Sequence, residues 1–245
     1  MRKFGLIGNP LGHSFSKKYF TEKFATEFIN ETVYENFELP KIDLLRNVVA
    51  ENPDLRGLNV TIPYKEAVIR YLDELSDDAL EIGAVNTIKI SSGKLKGFNT
   101  DYIGFTRSLI PLLKPSHKKA LILGTGGSSL AVKYALEKLG IEYLIVSRNP
   151  FEENEIGYDA VNESLLNEHT LLINTTPVGM FPDVSNAPEI PYQFLGEQHL
   201  LFDLIYNPEE TIFLKSGKEK GATTKNGSEM LALQAEEAWK IWNSF

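Results

Sequence analysis

The stretch Lys119-Ala-Leu-Ile-Leu-Gly124 constrains the fold of this chain more than any other. An unbroken apolar run of this length fits a strand buried on both faces, as occurs where helices cover a parallel sheet. It runs directly into Gly124-Thr125-Gly126-Gly127-Ser128-Ser129. Residues 130–139 then read as a helix, closed by Gly140 at the position after its last turn. Strand, glycine turn and helix in that order gather unpaired N–H groups and the positive end of a helix dipole at one point. Such a point suits an anion, above all the pyrophosphate of a dinucleotide. The G-x-G-x-x-G fingerprint is met at Gly124 and Gly126, with the small Ser129 in place of the third glycine. A plain tight turn between strand and helix explains the same residues equally well, so the turn alone does not decide.

The next strand, 143–146, adds information. It ends in Ser147-Arg148-Asn149, with no acidic residue where an NAD-preferring site would hold the ribose 2′-hydroxyl. A guanidinium offers a planar, charged set of donors that suits a 2′-phosphate. The residues therefore favour NADP over NAD.

Strands and helices alternate along the rest of the chain. Residues 3–7, 33–37, 55–60, 171–174, 200–203 and 222–225 read as strands, and 16–28, 41–50, 103–113 and 228–243 as helices. Ser91-Ser92-Gly93-Lys94 reads as the turn of a hairpin between 85–90 and 95–98. The pattern predicts an α/β protein with parallel sheets covered on both faces. Phe20, Phe24 and Phe28 form one expected core stripe, and Leu231, Ala235, Ala238 and Trp242 another. Asp101 and Ser228 are the expected N-caps of the helices that follow them.

Composition removes whole classes of function. A chain of 245 residues makes one large or two small domains. It has no cysteine, so disulfides, thiol chemistry and thiolate metal sites are excluded. Its four histidines, His13, His117, His169 and His199, are scattered, and no metal site is expected from them. Acidic residues outnumber basic ones by 33 to 25, a poor match for a nucleic-acid partner. No apolar run approaches the roughly 18 residues of a membrane span, and the N-terminus is too broken for a signal peptide. A cytoplasmic protein acting on a small molecule is expected.

Five further segments concentrate polar residues at strand ends. They are Gly8-Asn-Pro-Leu-Gly-His-Ser14-Phe-Ser16, Asn59-Val-Thr61-Ile-Pro-Tyr-Lys65, Gly83-Ala-Val-Asn86-Thr87, Gly97-Phe-Asn99-Thr100-Asp101 and Asn174-Thr-Thr-Pro-Val-Gly-Met180. In open α/β sheets ligands bind at those ends. Hydroxyls, amides, one lysine and one aspartate suit a polyhydroxylated or carboxylated molecule.

With Asp203-Leu-Ile-Tyr206-Asn-Pro208 and Asn226-Gly227-Ser-Glu-Met230-Leu231-Ala-Leu-Gln234, these segments resemble, in order, the shikimate dehydrogenase family. The resemblance implies two α/β domains around a cleft, the second a Rossmann-like NADP-binding domain with a parallel sheet. Residues 1–101 with 227–245 would form the substrate-binding and catalytic domain, and 102–226 the NADP-binding domain. It implies Lys65 and Asp101 as the catalytic pair, reducing 3-dehydroshikimate to shikimate. Ser14 and Ser16 would hold the substrate carboxylate, with Asn59, Thr61, Lys65, Asn86, Asp101, Tyr206 and Gln234 as the other substrate contacts. Gly124, Gly126, Gly127 and Ser128 match the pyrophosphate loop. Ser147, Arg148 and Asn149 match the adenosine-phosphate loop, and Leu204 and Gly227 the nicotinamide pocket. No metal is implied, and the protein would be a monomer or homodimer.

The chain also departs from the family. Lys17, Lys18, Tyr19 and Phe20 follow Ser16 where the family has proline and then a histidine–asparagine pair. The stretch 150–168 is short and acidic, and lacks the family's second basic residue, which leaves NAD use open. A shortened or irregular crossover is expected there.

Overall fold

The computed structural model describes residues 1–12 and 15–244. The chain divides into two compact units, Met1–Thr100 with Gln234–Phe245, and Asp101–Leu233. His13 and Ser14 lie outside the described residues.

The first unit contains β1 (Arg2–Gly8), α1 (Phe15–Thr26), β2 (Thr32–Glu38), α2 (Leu45–Glu51), β3 (Leu55–Val60), β4 (Glu74–Leu75), α3 (Asp77–Ile82), β5 (Thr87–Ser91) and β6 (Lys94–Phe98). Its sheet runs β2-β1-β3-β5-β6-β4. β2, β1 and β3 are parallel, but β5 is antiparallel to both β3 and β6. β4 pairs parallel with β6, so the expectation of parallel sheets fails here only at the two pairings of β5, one of which is the expected hairpin. The cause is local: Ser92 and Gly93 both have positive φ (51° and 78°), as in the two-residue turns that only antiparallel strands can share.

Phe28 corrects the expected stripe. Helix α1 ends at Thr26, and Phe28 takes φ 54° and is 83% exposed. Phe20 and Phe24 remain buried, with Phe4, Tyr34, Ala235, Ala238 and Trp242. Trp242 seals this core against β3. A Cβ at Gly57 would stand 2.2 Å from its indole nitrogen, which donates to the Ile88 carbonyl at 3.0 Å. Helix α3 is too short to show a period; the Ser76 hydroxyl caps it, accepting the Ala79 N–H at 3.3 Å, and Gly83 (φ 72°) ends it.

The second unit contains α4 (Asp101–Leu109), β7 (Lys119–Leu123), α5 (Gly127–Lys138), β8 (Glu142–Ser147), β9 (Glu155–Gly157), α6 (Glu163–Glu168), β10 (Leu171–Asn174), β11 (Leu200–Asp203), α7 (Ile212–Glu219) and β12 (Thr223–Lys225). The last helix, α8 (Ser228–Asn243), starts in this unit and ends in the first. The sheet is all parallel, in the order β12-β11-β10-β7-β8-β9. Counted from β7, this is the order of the doubly wound dinucleotide-binding fold. The direction of winding reverses between β7 and β10, so the loops after those two strands flank the switch point. Residues of β7 alternate between two cores: Ala120 and Ile122 face one, Leu121 and Leu123 the other. That is the burial on both faces that the apolar run 120–123 demands.

The short stretch 150–168 holds β9, a single turn at Tyr158–Ala160 and the six-residue α6. It completes the sheet edge with little helix, as its length and acidity suggest. Asp101 and Ser228 are the first residues of their helices rather than the residues before them. For Asp101 the position still favours a negative charge, which faces the helix dipole. For α8 the Asn226 side chain does the capping, accepting the Ser228 N–H at 3.2 Å. Among the described residues no helix is long and apolar enough to cross a membrane.

Candidate active site

In the first unit, buried amides and hydroxyls form one connected network at the ends of β3, β5 and β6. Tyr34 Oη donates to Asn59 Oδ1 at 2.8 Å, and Asn59 Nδ2 donates to Thr87 Oγ1 at 3.2 Å. Thr87 Oγ1 donates to Asn86 Oδ1 at 3.1 Å. Asn86 Nδ2 reaches Thr100 Oγ1 at 2.9 Å and Gln234 Oε1 at 3.4 Å. Asn59, Asn86 and Gln234, each singled out from sequence, are thus brought together. Tyr34, Thr87 and Thr100 were not assigned site roles from sequence, although Thr87 and Thr100 lie inside two of the polar segments. Tyr34 gave no signal, because a lone tyrosine in a strand reads as core. Burial pushes its phenol well above the ordinary range, with a hydrogen bond from Ser16 pulling the other way.

Thr61 and Lys65 lie in the turns after β3, both half-buried. Thr61 is fixed by its N–H to the Ile7 carbonyl at 2.9 Å. A Cβ on Gly8 would stand 2.5 Å from its methyl, so glycine is required for that approach. The Lys65 carbonyl accepts the Val85 N–H at 2.7 Å, which ties Lys65 to the residue before Asn86. Its neighbour Tyr64 is anchored by a 2.6 Å hydrogen bond to the Leu39 carbonyl. Asp101 is buried at the start of α4, in the second unit. Ser14 lies outside the described residues.

In the second unit, a groove of about 860 Å³ opens at the switch point. Gly124, Gly126, Ser147, Arg148 and Asn149 line it, as do residues 175–179 after β10 and Tyr158, Asp183 and Glu189. Gly127 and Ser128 form the first turn of α5 beside it. Gly124 has φ 103°, and a Cβ there would meet the Thr176 methyl at 2.7 Å. Gly126 faces open space instead. Ser129 serves in place of a third glycine because its hydroxyl folds back, donating to the Gly126 carbonyl at 2.7 Å. The Ser147 hydroxyl accepts the Asn149 N–H at 3.2 Å and shapes the turn that exposes Arg148. An open glycine at a helix N-terminus and an exposed guanidinium in one groove fit a ligand carrying separated phosphates.

The loop after β10 is held from below. Asn174 Oδ1 accepts the Thr176 N–H at 3.0 Å and its hydroxyl at 2.6 Å, while Asn174 Nδ2 donates to Asp203 at 3.0 Å. Asp203 is fully buried and also accepts Thr211 Oγ1 at 2.6 Å and the Ile205 N–H at 3.0 Å. Burial pushes its carboxyl up to about 6, against those hydrogen bonds. Leu204 and Gly227 touch: a Cβ on Gly227 would lie 2.1 Å from the Leu204 carbonyl oxygen. Tyr206 follows in the same loop, half-buried, its phenol raised by burial. Among the described residues no group of three or more acidic and histidine side chains is placed to hold a metal ion.

Residues 6–88 match the family model described as the shikimate dehydrogenase substrate binding domain. A shikimate dehydrogenase (NADP(+)) from Caldicellulosiruptor saccharolyticus is 37% identical, with 99% of this chain and 92% of that protein covered. The crystal structure of shikimate 5-dehydrogenase from Thermus thermophilus, in complex with NADP(H) and shikimate, matches with a TM-score of 0.86 at 34% identity, covering all of this chain and 94% of that one. The enzyme from Listeria monocytogenes, in complex with shikimate and NAD, matches with a TM-score of 0.87 at 30% identity, covering 99% and 91%. Fold, order of motifs and full-length similarity agree, and this chain belongs to the shikimate dehydrogenase family.

Proposed function

We propose that this chain catalyses the reversible NADPH-dependent reduction of 3-dehydroshikimate to shikimate, a step toward chorismate and the aromatic amino acids. The observation that carries the reading is the buried network joining Asn59, Asn86 and Gln234. Amides and hydroxyls held in fixed directions suit the ring hydroxyls of such a substrate. We assign the cofactor to the groove of the second unit.

Bound NADPH supplies the hydride. As negative charge grows on the carbonyl oxygen, the Lys65 ammonium stabilises it and donates the proton; in the oxidative direction the amine accepts it. Asp101, the other member of the catalytic pair, is assigned to a substrate hydroxyl. Ser14 and Ser16 take the substrate carboxylate, with Thr61 and Tyr206 as further contacts. Gly124, Gly126, Gly127 and Ser128 receive the pyrophosphate, Ser147, Arg148 and Asn149 the adenosine 2′-phosphate, and Leu204 and Gly227 line the nicotinamide site. The protein works in the cytoplasm, as a monomer or homodimer.

A second cofactor reading, NAD beside NADP, has one observation in its favour: Arg148 is the one basic side chain among the described residues lining the groove. Initial rates with shikimate or quinate, each with NADP⁺ or NAD⁺, test both readings. The highest kcat/KM is expected for shikimate with NADP⁺. A preference for quinate with NAD⁺ would overturn the assignment.

A further inference from the structure

Two polar heads in the nucleotide groove have no protein hydrogen-bond partner among the described residues. Arg148 is exposed, and among the described residues its guanidinium makes no ion pair, hydrogen bond or cation–π contact. Tyr158 lines the same groove. Its ring packs, partly buried, against the core that contains Leu121, Leu123 and Val146. Its hydroxyl makes no hydrogen bond among the described residues. That oxygen is not buried either, since Asn36 Oδ1 is the one buried side-chain oxygen or nitrogen among them that lacks a partner. A ring fixed in the core with its hydroxyl open to a ligand groove is a positioned donor.

The surroundings fit an anionic acceptor. Arg148 and Glu189 are the charges that act on the Tyr158 phenol, which places it within electrostatic reach of the one cation in the groove. Burial outweighs Arg148 and keeps the phenol above its ordinary range, so it remains protonated at neutral pH. Glu189 opposes an anion here, and a neutral donor adds binding without adding charge. Tyr158 opens the single turn Tyr158–Ala160 that follows β9 at the sheet edge.

We propose that the Tyr158 hydroxyl is a second donor, beside Arg148, to the phosphate on the ribose 2′-oxygen of the cofactor. The inference rests on the NADP reading above. It gives the chain a neutral substitute for the second basic residue missing after Arg148. A phosphate oxygen accepts more strongly than a ribose hydroxyl, so the contact would discriminate NADP from NAD.

Calorimetric titration of the full chain with 2′,5′-ADP and with 5′-ADP tests this without turnover. The unsubstituted protein should bind 2′,5′-ADP more tightly. Tyr158→Phe keeps the ring and its packing. It should weaken 2′,5′-ADP binding by about tenfold or more and leave 5′-ADP within about twofold. Equal losses for both ligands would place the hydroxyl on the shared adenosine and overturn the proposal. No loss for either would overturn it as well. Failure of the unsubstituted protein to distinguish the two ligands would instead sink the NADP reading, and this inference with it.

Discussion

Asn86 grips Thr100 at two points. Its Oδ1 accepts the Thr100 N–H at 2.7 Å, and its Nδ2 donates to the Thr100 hydroxyl at 2.9 Å. Both residues are buried, so neither group has water as an alternative. Asn86→Ala would strand the Thr100 N–H, at a cost of about 1–3 kcal/mol in urea unfolding. The same change should raise KM for shikimate, because the Gln234 amide loses a hydrogen-bond partner.

Gly124 and Gly126 should respond in opposite ways. Gly124 has φ 103° and no room beside Thr176, so Gly124→Ala should destabilise the fold by about 1 kcal/mol or more. Gly126 has φ −74° and open space around its Cα, so Gly126→Ala should change stability by less than about 0.5 kcal/mol. Its methyl would project into the groove and raise KM for NADP⁺. Thermal unfolding and initial-rate kinetics on the two variants check the contrast.

Arg148→Gln removes the charged donor of the groove. kcat/KM with NADP⁺ should fall about 10- to 100-fold, while kcat/KM with NAD⁺ changes little. The cofactor ratio at fixed shikimate reads this directly. Equal losses for both cofactors would assign Arg148 to something other than the 2′-phosphate.

Burial of Asp203 links the nucleotide unit to pH. Its carboxyl titrates near 6 in the fold, against about 4 in an unfolded chain. Between those values the folded protein keeps a proton that the unfolded chain has released. The stabilisation from this group is therefore complete below about pH 4 and is lost as pH rises through 6. Asp203→Asn does not titrate. The stability of the original protein minus that of the variant should fall by an amount of order 2–3 kcal/mol between pH 4 and pH 7. A difference that stays flat with pH, in urea titrations, would contradict this.

Much of the second unit was legible because its signals are local. The apolar run 120–123 and the glycines after it force a buried strand and an open helix start without reference to anything distant. The antiparallel pairing of β5 with β6 was legible in the hairpin turn Ser91–Lys94, but its pairing with β3 was not, since alternation alone does not reveal which strands become neighbours. Phe28 misled because periodicity carries no information about where a helix stops. The network was half visible: Asn59, Asn86 and Gln234 stand in motifs, but Tyr34 joins them only through the parallel pairing of β1 with β2 and β3. Tyr158 was hidden in a stretch whose acidity reads as solvated surface.

The most direct test of the proposed chemistry is the rate of NADPH appearance from shikimate and NADP⁺, for the unsubstituted protein and for Lys65→Ala. The unsubstituted protein should turn over. Lys65→Ala should keep its fold and its KM for shikimate within a few-fold while losing about 10²–10⁴ in kcat. A folded Lys65→Ala protein with kcat near the original value, or an unsubstituted protein with no shikimate-dependent NADPH formation, would contradict the account.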